Sequence, residues 1–158
     1  MFITFEGPEG SGKSTQIALL QEFLTEQGYT IQVTREPGGT RISEQIRDVL
    51  HDMSNRELTP RTEILLFSAA RAQHCDERIR PALVRGEVVL CDRFFDSTYA
   101  YQGYGHRLDL AILKSITRFA TDSLTPDLTL YIDVPAEEGI RRKQADKGLE
   151  WNRMDDYA

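Results

Sequence analysis

The stretch FEGPEGSGKST, residues 5–15, fits the pattern Gly-x4-Gly-Lys-Ser and directly follows a short apolar segment. Its three glycines permit backbone conformations that are closed to residues with a Cβ, so successive N–H groups can turn inward around a polyphosphate. Lys13 is placed to reach the β- and γ-phosphates, and the Ser14 hydroxyl to ligate an accompanying Mg2+. The pattern therefore predicts that one loop binds a nucleoside triphosphate: Gly7, Pro8, Glu9, Gly10, Ser11, Gly12, Lys13, Ser14 and Thr15.

The residues on either side of this loop predict strands that alternate with helices. Residues 1–5 form an apolar strand and residues 14–27 carry apolar side chains at helical spacing, the order that a phosphate-binding loop requires. Such alternation implies a parallel sheet covered by helices on both faces. Further strands are predicted over 30–34, 87–91 and 128–134, and further helices over 43–50, 59–84 (bent or interrupted near Pro81), 108–120 and 136–147.

The length and charge of the chain limit its architecture and its partners. A chain of 158 residues is predicted to form a single domain over residues 1–158. No closing strand or capped terminal helix follows the fourth strand, so we expect the domain to lack its natural C-terminus. The formal charge of −6 argues against broad affinity for nucleic acids or membranes. No apolar run is long enough to cross a bilayer and no leader precedes the first strand, which predicts a cytoplasmic location.

A second cluster of chemical groups is predicted at the same edge of the sheet. Asp92 and Arg93 follow the third strand, and ligands of parallel sheets bind outside the carboxyl ends of the strands. Asp92 can hold water on the metal and Arg93 can bind a phosphate through two hydrogen bonds; a surface ion pair is the alternative. Phe67 and Arg71 lie one helical turn apart and suit a base, with core packing and a solvated stem as the alternative. Residues 96–103 have a composition that is ordinary in loops.

Five motifs occur in order along the chain, and together they are more specific than the phosphate loop alone. They lie at residues 6–15, 35–40 (REPGGT), 67–74 (Phe-x3-Arg-x2-His), 92–94 (DRF) and 97–103 (Ser-Thr-x2-Tyr-Gln-Gly). Over the whole chain they resemble the thymidylate kinase family, bacterial type. The resemblance implies the P-loop NTPase and nucleoside monophosphate kinase fold, and transfer of the γ-phosphoryl group of ATP to dTMP in dTTP biosynthesis. It also implies ATP and Mg2+ as cofactors and a homodimer as the assembly.

The resemblance assigns roles to individual residues of this sequence. It implies that Phe67 stacks on thymine, that Arg71 contacts O4 of the base and that Arg93 grips the dTMP phosphate. It also implies that Thr98 faces the N3 edge of the base, and that Tyr101 crowds C2′ and so disfavours ribose. The other implied substrate residues are Glu9, which meets the sugar or orients the acceptor phosphate, Glu36, Ser97 and Gln102.

The resemblance places a catalytic cation in a lid rather than in the phosphate loop. Pro8 and Glu9 carry no positive charge, and bacterial members of the family supply arginine from a mobile lid, which is predicted here within residues 141–158. Arg153 fits that role best and Arg142 is a weaker candidate, with a solvated basic face as the alternative for Arg141, Arg142 and Lys143. The implied catalytic residues are Lys13, Asp92, Arg93 and Arg153, and the implied metal ligands are Ser14 and Asp92.

Two other functions are compatible with these motifs. A deoxynucleoside kinase has a similar loop and strand end but phosphorylates a neutral hydroxyl, for which it needs a carboxylate base. Arg93, Arg71 and the REPGGT loop favour a phosphorylated acceptor instead. The second alternative is a nucleotide-binding module without turnover, because the region expected to hold the adenine and to complete the lid is absent from the chain.

Overall fold

A parallel sheet lies at the centre of the computed structural model, which describes residues 1–145 and Arg153. Its strands are Phe2–Glu6 (β1), Ile31–Arg35 (β2), Val88–Asp92 (β3) and Leu128–Tyr131 (β4). Their order is β2-β3-β1-β4 and every pair is parallel, so β1 and β3 are neighbours in the middle. The predicted α/β architecture and its four strands are confirmed, although the last ends at Tyr131 rather than at residue 134.

Helices begin where the sequence provides capping groups. The Thr40 and Thr59 hydroxyls accept hydrogen bonds from the backbone N–H groups of Ser43 and Thr62. The Asp109 carboxylate caps a later helix in the same way. Within the part of the chain that the structure describes, no helix has the length and apolarity needed to cross a membrane. The helices are Lys13–Glu26 (α1), Arg41–His51 (α2), Pro60–His74 (α3), Arg80–Val84 (α4), Phe95–Thr98 (α5), Leu110–Ala120 (α6) and Ala136–Ala145 (α7).

The core lies on both faces of the sheet, because successive strand residues point to opposite sides. On one face Phe2 packs in a cluster with Ile79. On the other face Ile3 and Leu90 pack with Ile17 of α1. Burial on both faces explains why β1 and β3 are largely apolar, and the pairing of the two strands holds their carboxyl ends side by side.

The predicted helix over residues 59–84 is not continuous. α3 ends at His74, a π-helical segment Cys75–Ile79 follows, and α4 begins at Arg80. Pro81 has no N–H to donate, and its ring would clash with the carbonyl four residues earlier in a regular α-helix. The interruption therefore lies in the turn before Pro81.

Residues 96–103 are helical, whereas their composition is ordinary in loops. α5 continues into a π-helical segment, Tyr99–Gly105. A Cβ at Gly103 would lie 2.7 Å from the Leu110 side chain, so this segment packs closely against the start of α6. Gln102 is buried in the same segment. Packing against neighbouring helices thus overrides the weak helix propensity of glycine and tyrosine.

Candidate active site

The two predicted clusters meet because the strands that lead into them are neighbours. β1 leads into the phosphate loop and β3 leads into Asp92 and Arg93, with Phe5 paired to Asp92 in register. A cavity of about 1080 Å3 opens between them. It is lined by most of the predicted site residues: Glu9, Gly10, Ser11, Gly12, Lys13, Ser14, Thr15, Glu36, Phe67, Arg71, Asp92, Arg93, Ser97, Thr98, Tyr101 and Gln102.

The phosphate loop presents an open helix end to this cavity. Gly12 is the N-cap of α1 and has a φ of +98°, a conformation that favours glycine. Its helix has no capping side chain and no acidic residue in the first turn, so the N-terminal N–H groups can bind an anion. Lys13 Nζ donates to the carbonyls of Gly7 (3.2 Å) and Pro8 (2.9 Å). Burial, and secondly the charge of Arg93, lower the pKa of Lys13, and a bound phosphate would oppose both effects.

Ser14 and Asp92 form the pair predicted to hold a metal ion. Ser14 Oγ donates to Asp92 Oδ2 over 3.3 Å. Asp92 Oδ1 is buried, and no hydrogen-bond partner for it occurs among the described residues. Burying a carboxylate oxygen without a partner costs free energy, and a bound cation would supply the missing partner. Residues 1–145 and Arg153 contain no cluster of three His, Cys, Asp or Glu side chains that could hold a metal. One carboxylate and one hydroxyl fit Mg2+, which takes its other ligands from phosphate and water.

Arg93 lies at the centre of the predicted acceptor residues. Its Nη2 donates to Glu9 Oε1 over 2.7 Å, and its Nη1 donates to Ser97 Oγ over 3.0 Å. The guanidinium carbon is 5.6 Å from the centre of the Tyr101 ring. Burial would raise the pKa of Glu9, but the charge of Arg93 and of neighbouring lysines outweighs it and lowers this pKa. The result is a fixed, carboxylate-paired cation beside the phosphate loop, which a substrate phosphate can engage.

Glu6 orients this cluster, although it is not among the residues predicted from the sequence. Its carboxylate accepts hydrogen bonds from the backbone N–H of Phe94 (2.8 Å) and from Ser97 Oγ (2.6 Å). Burial raises the pKa of Glu6. The available signal was an acidic residue at the end of an otherwise apolar strand, a position that faces the site in a parallel sheet.

Arg71 and Phe67 line the same cavity. Arg71 is buried, its Nε donates to Glu36 Oε2 over 2.7 Å, and its Nη2 donates to Thr98 Oγ1 over 3.0 Å. Arg71 Nη1 is buried and has no hydrogen-bond partner within the described residues. Arg71 is therefore not a solvated stem but a fixed donor whose Nη1 amino group is left for a ligand.

Arg153 does not lie with the phosphate-loop residues in this structure. Its Nη2 donates to Glu63 Oε2 over 2.7 Å and its Nε to the Leu50 carbonyl over 2.9 Å, and both charged side chains are buried. Glu63 Oε1 accepts from Gln102 Nε2 over 2.7 Å, so a predicted substrate residue shares this carboxylate. Arg153 is not among the residues that line the cavity. The rest of the predicted lid, residues 146–152 and 154–158, lies outside the described residues.

α7 lies directly on the phosphate loop. A Cβ at Gly10 would collide with the Gly139 carbonyl oxygen, and a Cβ at Gly139 would collide with the Glu9 carbonyl oxygen. This approach brings Arg142 and Lys143 to the lining of the cavity. Of the two lid arginines considered from the sequence, Arg142 is thus the one that faces the nucleotide loop here.

Comparison with known proteins agrees with this geometry. A family model described as thymidylate kinase matches residues 5–155. The thymidylate kinase of Roseiflexus castenholzii is 54% identical over 98% of this chain and 72% of its own length, and that of Bacillus pumilus is 51% identical over 98% and 73%. A crystal structure of thymidylate kinase from Ehrlichia chaffeensis superposes with a TM-score of 0.79 at 43% identity, over 90% of this chain and 75% of that one. The chain therefore belongs to the thymidylate kinase family, whose members are ATP-dependent nucleoside monophosphate kinases.

Proposed function

We infer that this protein transfers the γ-phosphoryl group of ATP to dTMP, forming dTDP and ADP. One observation carries the inference: a single cavity is lined by the phosphate loop, by the half-buried guanidinium of Arg93, and by Phe67 and Arg71, a pair that suits a base. An acceptor that has both a base and a phosphate can engage all of these groups at once. Membership in the thymidylate kinase family supports dTMP as that acceptor.

The residues of the chain act by positioning two anions for in-line transfer, without a covalent intermediate. The open end of α1 binds the donor phosphates, and Lys13 can exchange its loop carbonyls for a phosphate oxygen. Arg93 holds the acceptor phosphate through its fork. No general base is required, because a phosphate monoester oxygen is already ionised near neutral pH.

We propose that Ser14 and Asp92 hold Mg2+ together with the nucleotide. When bound, the ion would neutralise charge on the β- and γ-phosphates. The buried Asp92 Oδ1, without a partner among the described residues, supports this assignment.

Arg71 supplies base selectivity in this proposal. Thymine offers O4 as an acceptor at the position where cytosine offers an amino donor. Arg71 Nη1 is a buried donor and Arg71 lines the cavity, so Nη1 would donate to O4 of thymine. With cytosine, two donors would face each other and no hydrogen bond would form. Phe67 provides an aromatic face for stacking.

The proposed activity predicts ADP release with dTMP but not with thymidine. The reason is that Arg93 needs an acceptor with its own phosphate in order to hold it in line with the donor. A coupled ADP-release assay with dTMP, thymidine and no acceptor measures this directly. Release with thymidine but not with dTMP would instead indicate a deoxynucleoside kinase, and dTMP binding without ADP release would indicate a binding module.

We also propose that two copies of the chain pair, as the family resemblance implies, and that the contact is made by α2, α3 and α6. These helices pack successively against one another. Large apolar side chains on them are exposed, including Leu65 on α3 and, seven positions apart on one face of α6, Ile112 and Phe119.

Phe119→Glu is expected to convert the proposed dimer into a monomer, because it puts a charge into the apolar contact. Phe119 is 89% exposed, and Phe23 on α1, which is 56% exposed, provides a matched control outside this face. Size-exclusion chromatography with light scattering gives the mass of each variant. A monomeric wild-type protein, or a Phe23→Glu variant that dissociates equally, would refute the proposed interface.

A further inference from the structure

His74 lies behind the base-binding arginine, in the interior of the protein. It is fully buried and does not line the cavity. Its Nδ1 is 3.1 Å from Glu36 Oε1, and its Nε2 is 2.6 Å from Thr34 Oγ1. The backbone of Gly39 packs against the imidazole, since a Cβ there would lie 2.6 Å from Nε2. His74 is therefore held on three sides by the strand and loop that carry Glu36.

Glu36 joins His74 to Arg71. Its other oxygen, Oε2, accepts from Arg71 Nε over 2.7 Å, so each carboxylate oxygen has a different partner. Burial would raise the pKa of Glu36, but the charge of Arg71, followed by the hydrogen bond from His74, outweighs it and lowers this pKa. An ionised carboxylate can only accept, so His74 Nδ1 must carry the proton that it shares with Glu36. The Thr34 hydroxyl then satisfies Nε2.

The direction in which Arg71 points depends on these contacts. A guanidinium is planar, so fixing Nε and Nη2 also fixes where Nη1 points. Glu36 holds Nε and Thr98 holds Nη2 over 3.0 Å. A carboxylate that could rotate would let the whole fork turn. The position of the Nη1 donor thus depends on what holds the Glu36 carboxylate, and its other oxygen is bonded to His74, which does not line the cavity.

We propose that His74 is a positioning residue for base recognition, which locks Glu36 and through it aims Arg71 Nη1 at the base carbonyl. The proposal rests on the proposed function, because it requires a base with an acceptor at this point. It assigns a role to the last residue of the Phe-x3-Arg-x2-His motif, which the predicted site residues do not include.

Two amide substitutions separate the two hydrogen bonds of the imidazole. The Asn amide nitrogen can replace Nδ1 and keep the bond to Glu36, whereas the longer Gln reaches the Nε2 position and keeps only Thr34. We expect His74→Gln to raise KM for dTMP about tenfold and to reduce the preference for dTMP over dCMP by a similar factor. KM for ATP should stay unchanged, and His74→Asn should remain within about twofold of wild type in all three quantities. Steady-state ADP release with each acceptor provides the measurements.

Equal preference for dTMP over dCMP in wild type and His74→Gln would overturn the proposal, as would an equal rise in KM for ATP. If neither His74 variant folds, Thr34→Val removes the Nε2 partner and leaves the imidazole in place. That variant should shift KM and base preference in the same direction by a smaller factor, and an unchanged preference would overturn the proposal. If the wild-type protein is active and His74→Gln has the same KM and base preference, the role of His74 is refuted and the proposed function stands. A wild-type protein that releases no ADP with dTMP refutes the proposed function and, with it, this role.

Discussion

Arg153→Ala is expected to lower the turnover number with ATP and dTMP about 10^3-fold while KM for dTMP stays nearly unchanged. An arginine that meets charge developing on the transferring phosphoryl group acts in the transition state, so its loss affects kcat rather than substrate binding. In this structure the Arg153 guanidinium is paired with Glu63 instead. If Arg153 is the lid arginine, it has to leave that pair to act, and Glu63 and the phosphates would then compete for its charge. Steady-state ADP release at varied dTMP and saturating ATP separates kcat from KM.

Arg142→Ala is the matched control. Arg142 lines the cavity, and its Nε donates to the Glu138 carboxylate over 2.7 Å in a solvent-exposed ion pair. We expect this variant to lose less than about tenfold in turnover, as is usual for a solvent-facing ion pair. A larger loss for Arg142→Ala than for Arg153→Ala would assign the lid role to α7. Removing one partner of a buried pair costs about 3–5 kcal/mol of stability. Both variants are therefore to be compared below the midpoint of their thermal unfolding curves.

Arg93→Ala is expected to lower kcat/KM for dTMP by about 10^3 or more, with KM for ATP changing less than about threefold. The Arg93 side chain is only 14% exposed and its fork bonds Glu9 and Ser97 in this structure. Its loss removes two charge-assisted hydrogen bonds from the acceptor phosphate and takes away the shortest ion pair of Glu9, which keeps Lys143 at 3.9 Å. The same coupled assay, with dTMP varied, measures the effect.

Arg93→Lys tests whether the fork matters beyond its charge. Arg93 has a φ of +67°, and alanine and lysine bear the same backbone strain there, so the two variants differ only in side-chain chemistry. We expect lysine to recover part of the loss, because it supplies a point charge but not two parallel hydrogen bonds. If Arg93→Ala raises KM for ATP as much as KM for dTMP, Arg93 serves the donor side and the acceptor assignment is wrong.

The sheet and the phosphate loop could be predicted because their determinants are local. β1 and β3 are short apolar runs, and the loop between Gly7 and Lys13 is defined by residue types at fixed spacing. The position of Asp92 followed from a general rule, that ligands bind at the carboxyl ends of parallel strands. These elements can be predicted without knowing which distant residues pack together.

The missing parts of the site depend on contacts between residues far apart in sequence. The helical course of Tyr99–Gly105 is imposed by packing against α6, against the preference of its residues. The sequence does not predict the role of Glu63, because a glutamate on a helix is usually solvated, whereas here it is fully buried and accepts from Gln102 and Arg153. Neither outcome has a local sequence pattern.

The contact between Gly10 and Gly139 packs the backbone of α7 directly against the backbone of the phosphate loop. Two backbones touch there with no side chain between them, so no rotamer change can absorb a shift of one against the other. Such a contact ties the position of the phosphate loop to that of α7, the helix that carries Arg142. The identity of residue 139 is therefore constrained by a loop residue near the other end of the sequence, because a side chain at either position would push the two backbones apart.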